Sequence, residues 1–455
     1  MKISCSNFRE YLNVLADIVP KKCKLPILQN VLIGSGAICA NNLESALEIQ
    51  MPEATDESFL LPFATVINMV KHIPYYETLN IEKAAKDVYK ISWSDGAATF
   101  ESKPVVDFPP VPSYVPEVTG FLNGDILIPA LLSAIKYCTT DKVRPVLAGV
   151  SLYLGDSLAV AGTDGFRLAY QYINMVYPAT KTVILPTESI LQIQNLWKKR
   201  PLASGEGANI ILPRKFQLGL ITEPGKEKDI NGEPVRTLTS IMVKYGDVTF
   251  WSRVIAGSVP DHLKLVNSFK QSTVVKFNAE DMFYALQRIK STASSGSSIA
   301  RLSWSGNQMK VSAKASDSQN IETHLTIDPV ESSGKIGINI LYLMDYLNSK
   351  SGSISMGYED PRSPAVFRYP GQPLVTIMPM LVKWPEDEAE SEQGENVEDA
   401  PDNDVETEST PDPDPEETQI PPEPGENEPE DAVSVGPVTK VPKTRKSRKS
   451  KKEQL

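Results

Sequence analysis

Apolar positions recur with a period near 3.6 in six stretches of the chain, and each stretch predicts an amphipathic helix. Three of them, 7–19 (NFREYLNVLADIV), 129–138 (PALLSAIKYC) and 279–290 (AEDMFYALQRIK), are each followed by a second, at 61–73, 185–199 and 338–350. Counted to residues 62, 186 and 339 of the second stretches, the distance from first to second stays between 55 and 60 residues in all three cases, which marks an internal repeat. Between the helices, runs such as 88–102, 157–172 and 308–327 alternate apolar and polar residues, and Asp-Gly falls at two of their bends. That pattern predicts antiparallel hairpins. Each unit is therefore expected to be α+β, with two helices packed on antiparallel sheets. The middle unit is about 30 residues longer than the first, and the Gly- and Pro-rich stretch at about 200–238 is the expected insertion. These signals divide the chain into units at 1–119, 120–268 and 269–385, followed by a tail at 386–455.

Charge changes the picture only in the tail. The whole chain carries a formal −11, but residues 386–432 hold 21 Asp and Glu with no Lys or Arg, and 433–455 hold 8 Lys and Arg with one Glu. Residues 1–385 are left at about +3. The tail has few apolar anchors, so it predicts disorder, with a basic tip at 440–452 that would attract anions while the acidic stretch repels them. The N-terminus lacks the apolar run of a signal peptide, and no apolar stretch is long enough to span a bilayer. A soluble, cytoplasmic protein is expected.

Candidate chemistry is sparse. Three His (His72, His262, His324) and four Cys (Cys5, Cys23, Cys39, Cys138) show no metal-ligand spacing. The segment 219–227, GLITEPGKE, resembles a phosphate-binding loop but carries Glu where Ser or Thr should meet the metal. Asp164 and Asp261 lie in turn sequences, where short carboxylates cap their own backbone. No nucleophile, base and oxyanion hole can be assembled, so the expectation is no catalytic residue, no metal and no cofactor. Lys and Arg instead recur at the ends of the predicted helices in every unit: Lys22, Lys71, Lys142, Arg144, Lys198, Arg288 and Lys350 among them. Such scattered cations, without an aromatic stacking platform or a recognition helix, suit sequence-independent contact with a phosphate backbone.

Several strings then carry a family resemblance: KLPILQNVLI (24–33), NNLESAL (41–47), VDFPPVP (106–112), VRPVLAGV (143–150), TDGFRLA (163–169), VIAGSVPDH (254–262), INILYLMDYLN (338–348) and VTIMPMLV (375–382). In this order and spacing, residues 1–385 resemble the bacterial DNA polymerase III beta subunit, the replicative sliding clamp. The resemblance implies a head-to-tail homodimeric ring of six similar domains, with helices lining a hole around duplex DNA. It also implies docking of the catalytic polymerase, the clamp loader and repair proteins through short peptides. A clamp-derived scaffold that recruits partners away from DNA is the alternative.

Carried onto this sequence, the implied DNA contacts are Lys22, Lys71, Lys142, Arg144 and Lys198. The implied peptide pocket lies between the second and third units, at Leu147, Thr163, Gly165, Arg167, Leu168, Pro260, Leu265, Asn339, Tyr342, Ile377, Met378, Pro379 and Met380. Phe100 is the implied apolar residue of the dimer interface. Three features depart from the family: Phe166 stands where clamps often have His, Ser291 and Thr292 stand near an apolar interface pair, and about 70 residues follow the MPM segment.

Overall fold

The computed structural model of the chain describes residues 1–53, 57–112, 114–141, 143–199, 214–228, 234–316 and 318–382. Lys142, residues 200–213 of the expected insertion and the tail at 386–455 lie outside them. The described chain repeats one order of elements three times. The first unit runs β1 (Lys2–Ser4), α1 (Cys5–Leu15), β2 (Asn30–Gly34), β3 (Ala37–Asn41), β4 (Ser45–Gln50), β5 (Phe59–Pro62), α2 (Phe63–Val70), β6 (Thr78–Ala85), β7 (Val88–Trp93) and β8 (Gly96–Glu101). The second runs β9 (Val118–Asn123), α3 (Gly124–Ile135), β10 (Gly149–Leu154), β11 (Leu158–Thr163), β12 (Arg167–Ile173), β13 (Lys181–Pro186), α4 (Thr187–Lys199), β14 (Lys215–Lys228), β15 (Pro234–Tyr245) and β16 (Val248–Arg253).

A short helix, α5 (His262–Ser268), leads into the third unit: β17 (Thr273–Asn278), α6 (Ala279–Ser295), β18 (Ile299–Ser316), β19 (Gln319–Asn339), α7 (Ile340–Leu347), β20 (Ser353–Tyr358), β21 (Ala365–Arg368) and β22 (Leu374–Ile377). Here the long strands β18 and β19 take the place of four. Residues 299–304 pair with 334–339 and 308–316 with 319–326, and the ladder breaks around Gly306 at φ +58°.

Local chemistry fixes where the first helix of each unit begins. The last residue of the preceding strand turns its side chain back as an N-cap. Ser4 accepts from Asn7 N (3.1 Å), Asn123 from Asp125 N (2.9 Å) and Asn278 from Glu280 N (2.9 Å). The cap at Asn123 overrides the sequence expectation that Pro129 opens the helix. Helix α3 starts five residues earlier and carries Pro129 inside it, because Leu127, Ile128 and Leu131 already form the buried face. Helix α6 likewise runs past 290 to Ser295, with Thr292 buried and Ser291 exposed.

The expected insertion is also corrected in part. Residues 215–228 and 234–238 belong to a long hairpin, β14 with β15, in which Phe216, Leu218 and Leu220 alternate into the core. The loop-like 219–227 segment is therefore strand. Its alternation was masked by Gly219, Pro224 and Gly225.

The sheets join the units. An eight-stranded sheet in the order β5-β2-β3-β4-β16-β15-β14-β9 crosses from the first unit to the second. A ten-stranded sheet, β13-β10-β11-β12-β22-β21-β20-β17-β19-β18, crosses from the second to the third, and β1-β6-β7-β8 stands alone. Helices pack on the strands closely enough that a Cβ on Gly162 of β11 would collide with the carbonyl oxygen of Ala134 in α3. One buried core serves the first two units and a second serves the third. No helix among the described residues is long and apolar enough to cross a membrane.

Between the second and third units, Asp261 caps α5 by accepting from Lys264 N (3.0 Å). The next residue, His262, is 2% exposed, with Nδ1 2.7 Å from the Tyr153 hydroxyl, which donates to the Pro260 carbonyl (3.2 Å). Burial pushes the His262 pKa down, partly offset by the Asp261 charge.

Two outcomes follow for stability. Gly162→Ala forces β11 from α3 and should cost about 1–3 kcal/mol in urea denaturation; an unchanged midpoint would show that the packing yields freely. A buried neutral imidazole contributes stability above its unfolded pKa, lost as pH falls towards the lower folded value. Acidification below about pH 6.5 should therefore lower the denaturation midpoint, and His262→Phe should flatten that slope. Equal slopes for both proteins would exclude His262 as a source of the pH dependence.

Candidate functional site

The junction of the second and third units is built on the turn from β11 to β12. Thr163 Oγ1 donates to the Arg167 carbonyl (2.6 Å) and accepts from Gly165 N (3.0 Å). Asp164 Oδ1 accepts from Phe166 N (2.9 Å) and Arg167 N (2.8 Å). Gly165 takes φ +92°, a conformation that a side chain would strain. This small, self-bonded turn leaves Phe166 half exposed, with its ring 6.5 Å from that of Tyr342. Strand β12 continues into β22 with Arg167 opposite Ile377. Beyond Ile377 the chain leaves the strand, held by Met378 N to the Phe166 carbonyl (2.8 Å) and Met380 N to the Gly337 carbonyl (2.8 Å). The MPM segment thus bridges the turn and β19, leaving Met378 (44%), Met380 (36%) and Leu381 (79%) exposed.

Arg167 braces this junction. Its guanidinium meets Asp164 (3.0 Å), Asp345 on α7 (2.7 Å) and the Lys136 carbonyl (3.2 Å), and it lies 4.5 Å from the Tyr342 ring centre and 5.2 Å from that of Tyr137. Burial opposes its charge, but the carboxylates of Asp345 and Asp164 outweigh that and hold the guanidinium ionised. The group ties the turn to both α3 and α7.

The other expected pocket residues divide by exposure. Leu265 on α5 is 42% exposed, Gly165 and Pro260 are exposed, and Leu147, Thr163, Tyr342 and Pro379 are half-buried. Leu168 and Ile377 are buried, Leu168 in a cluster with Ala159, Ala161 and Tyr170. They form the support beneath the surface. Asn339 spends its Oδ1 capping α7, accepting from Leu341 N (3.0 Å) and Tyr342 N (3.3 Å), so only its amide nitrogen is left to face a ligand. Sequence reasoning missed Asp345 and Tyr137 as parts of the junction. Asp345 lies 178 residues from Arg167, and no local signal links them.

Lys22, Lys71, Arg144 and Lys198 are all exposed and form no ion pair among the described residues. Lys71 Nζ rests on Asn68 Oδ1 (2.9 Å). Lys199, beside Lys198, is occupied, bonding Asp17 (2.6 Å) and the Asn13 carbonyl (2.8 Å) and so tying α4 to the end of α1. Arg144 lies against the β11–β12 turn, with Nη1 3.1 Å from where a Cβ on Gly165 would stand. Phe100, expected at the interface between copies, is 8% exposed in the single chain, where it sits opposite Tyr89 and packs in the first core because inward alternation on β8 places it there.

With this geometry established, comparison with known proteins is direct. Residues 269–382 match the family model for the C-terminal domain of the DNA polymerase III beta subunit, and residues 130–261 match the model for its central domain. Together they span more than half of the chain. The beta sliding clamp of Synechocystis is 25% identical over 414 residues, covering 84% of this chain and 99% of that protein. The solved beta subunit from Streptococcus pyogenes superposes with a TM-score of 0.69 at 18% identity, and that from Thermotoga maritima with 0.67 at 20%; each comparison covers 84% of this chain and 99% of the other. A threefold β-α-β repeat joined edge to edge, matched over nearly the full length of these relatives, places this chain in the family of DNA polymerase III beta subunits, the beta sliding clamps.

Proposed function

We propose that the protein is a non-catalytic DNA sliding clamp, closed into a ring by two copies and tethering the replicative polymerase to duplex DNA. One observation carries this reading: sheet edges join successive units in the same way twice and leave matching edges at the two ends. Strand β4 pairs with β16, and β12 pairs with β22. The equivalent edges left over are β8 in the first unit and residues 319–326 of β19 in the third, whose ladder there is with β18. An unpaired edge is a template for another strand. Pairing β8 of one copy with β19 of a second generates two identical head-to-tail contacts and closes the assembly.

The extents 1–119, 120–268 and 269–385 are read as its three clamp domains. Lys22, Lys71, Arg144 and Lys198, with Lys142, would touch phosphates. A body charge of only about +3 keeps that contact weak enough for sliding, since each added phosphate contact steepens the salt dependence and tightens the hold. At the second junction, Phe166, Leu265, Met378 and Met380 would grip a partner's short peptide, with Leu168 and Ile377 beneath them. Polymerase, clamp loader and repair proteins are its expected sources, in the cytoplasm at the nucleoid.

Two outcomes test this. Loaded onto a nicked circular plasmid, the protein should co-elute with it as a species of twice the chain mass and be released when the circle is linearised. A monomer at micromolar concentration, or retention indifferent to linearisation, would favour a scaffold that works away from DNA. Met378→Ala combined with Phe166→Ala should weaken binding of a polymerase-derived peptide by about 2–4 kcal/mol in calorimetry, as truncation of central apolar contacts does, and leave the ring intact. Unchanged affinity would remove this junction as the docking site.

A further inference from the structure

The turn between β3 and β4 in the first unit repeats the three bonds that the backbone N–H groups of the β11–β12 turn make to its own side chains. Leu43 N donates to Asn41 Oδ1 (2.7 Å), as Gly165 N does to Thr163 Oγ1. Asn42 Oδ1 accepts from Glu44 N (3.0 Å) and Ser45 N (2.7 Å), as Asp164 Oδ1 does from Phe166 N and Arg167 N. The strand exits match too. Arg253 N donates to the Glu44 carbonyl (2.9 Å) and Ile255 N to the Ile184 carbonyl (2.9 Å), standing where Met378 and Met380 do. The peptide-docking frame thus occurs a second time, at the junction of the first and second units.

The side chains on this second frame differ. A cavity of about 350 Å3 opens between the turn, residues 109–112 with Tyr114, and the end of β16. Asn41 Nδ2 donates to the Pro110 carbonyl (3.3 Å) and fixes 109–112 as a wall. Trp251 lines the cavity; it is 8% exposed and packs on Ala46, Ile221 and Met242, and its indole N–H is shielded from solvent with no hydrogen-bond partner among the described residues. Leu43 holds φ +76°, which glycine would adopt without strain, and it keeps a 46% exposed leucine on the cavity wall. Tyr114 is 53% exposed beside it. Glu44, Glu223 and Arg253 reach the same cavity, and none forms an ion pair among the described residues.

We propose that this cavity is a second docking site, which takes a short extended peptide of a partner protein carrying Lys or Arg beside a proline or aliphatic residue. The cation would sit between Glu44 and Glu223, and the apolar residue would lie against Leu43 and Tyr114, next to the Trp251 indole. Two unpaired carboxylates against one guanidinium repel phosphate, so the ligand is a peptide and not nucleic acid. The mode of binding rests on the reading of the other junction as a peptide groove; the cavity and its unpaired groups do not.

The test uses the full chain with isotope-labelled tryptophan, whose five Trp give few indole N–H signals; Trp251→Phe identifies the one that matters. The probes are proline-containing hexapeptides with a central Lys, the same peptides with Glu in its place, and a short duplex DNA. The Lys peptides should move the Trp251 signal saturably. Glu44→Lys with Glu223→Lys should weaken that binding by about tenfold or more, while Met378→Ala leaves it unchanged. A Trp251 signal unmoved at peptide concentrations on the order of 1 mM, moved equally by the Glu peptides, or moved by DNA instead would overturn the proposal. Loss of plasmid retention alongside an intact Trp251 titration would count against the clamp reading alone.

Discussion

Backbone hydrogen bonding at sheet edges is the constraint from which the rest of the structure follows. Each unit ends in strands whose outer N–H and C=O groups need partners, because buried peptide groups left unpaired are costly. The chain meets that need by running one unit's edge into the next, at β4–β16 and at β12–β22. The orientation of successive units is thereby set by strand register, and side-chain packing between them has only to agree with it. The same requirement is left unmet among the described residues at β8 and at residues 319–326 of β19, the two edges on which the proposed second copy would pair.

The register that joins the units also builds the sites. Where β12 meets β22, the hairpin turn and the strand exit are forced side by side, and the Phe166 carbonyl takes the Met378 N–H. A surface patch therefore forms at every such crossing without a dedicated loop. What a patch can bind is left to the few side chains on it: Phe166, Met378 and Met380 at one junction, and Glu44, Arg253 and Trp251 at the other. Repetition supplies the frame and substitution supplies the chemistry.

Electrostatics divides labour in a similar way. Charges that hold the units together are paired, as with Arg167 between Asp164 and Asp345, and the low exposure of Arg167 and Asp164 strengthens the contact between them. Lys22, Lys71 and Lys198 stay exposed and unpaired, where water and salt weaken them. That arrangement agrees with the weak contact with DNA proposed for these residues.

The sequence by itself determined the repeat, the two helices per unit and the hairpins, because these rest on local periodicity, and a period of 3.6 or 2 is written residue by residue. It also marked the TDG turn and the MPM segment, since Gly and short polar side chains are needed where a turn bonds to itself. It misjudged the start of α3, where an Asn cap outweighed Pro129, and the strand nature of 215–228, where Gly and Pro hid the alternation. Only the tertiary structure decided which edges pair, that Phe100 and Leu168 face inward, that Asn339 is a cap and that Asp345 meets Arg167. Those facts depend on contacts between residues far apart in the chain, settled by strand register and burial, which no local pattern encodes.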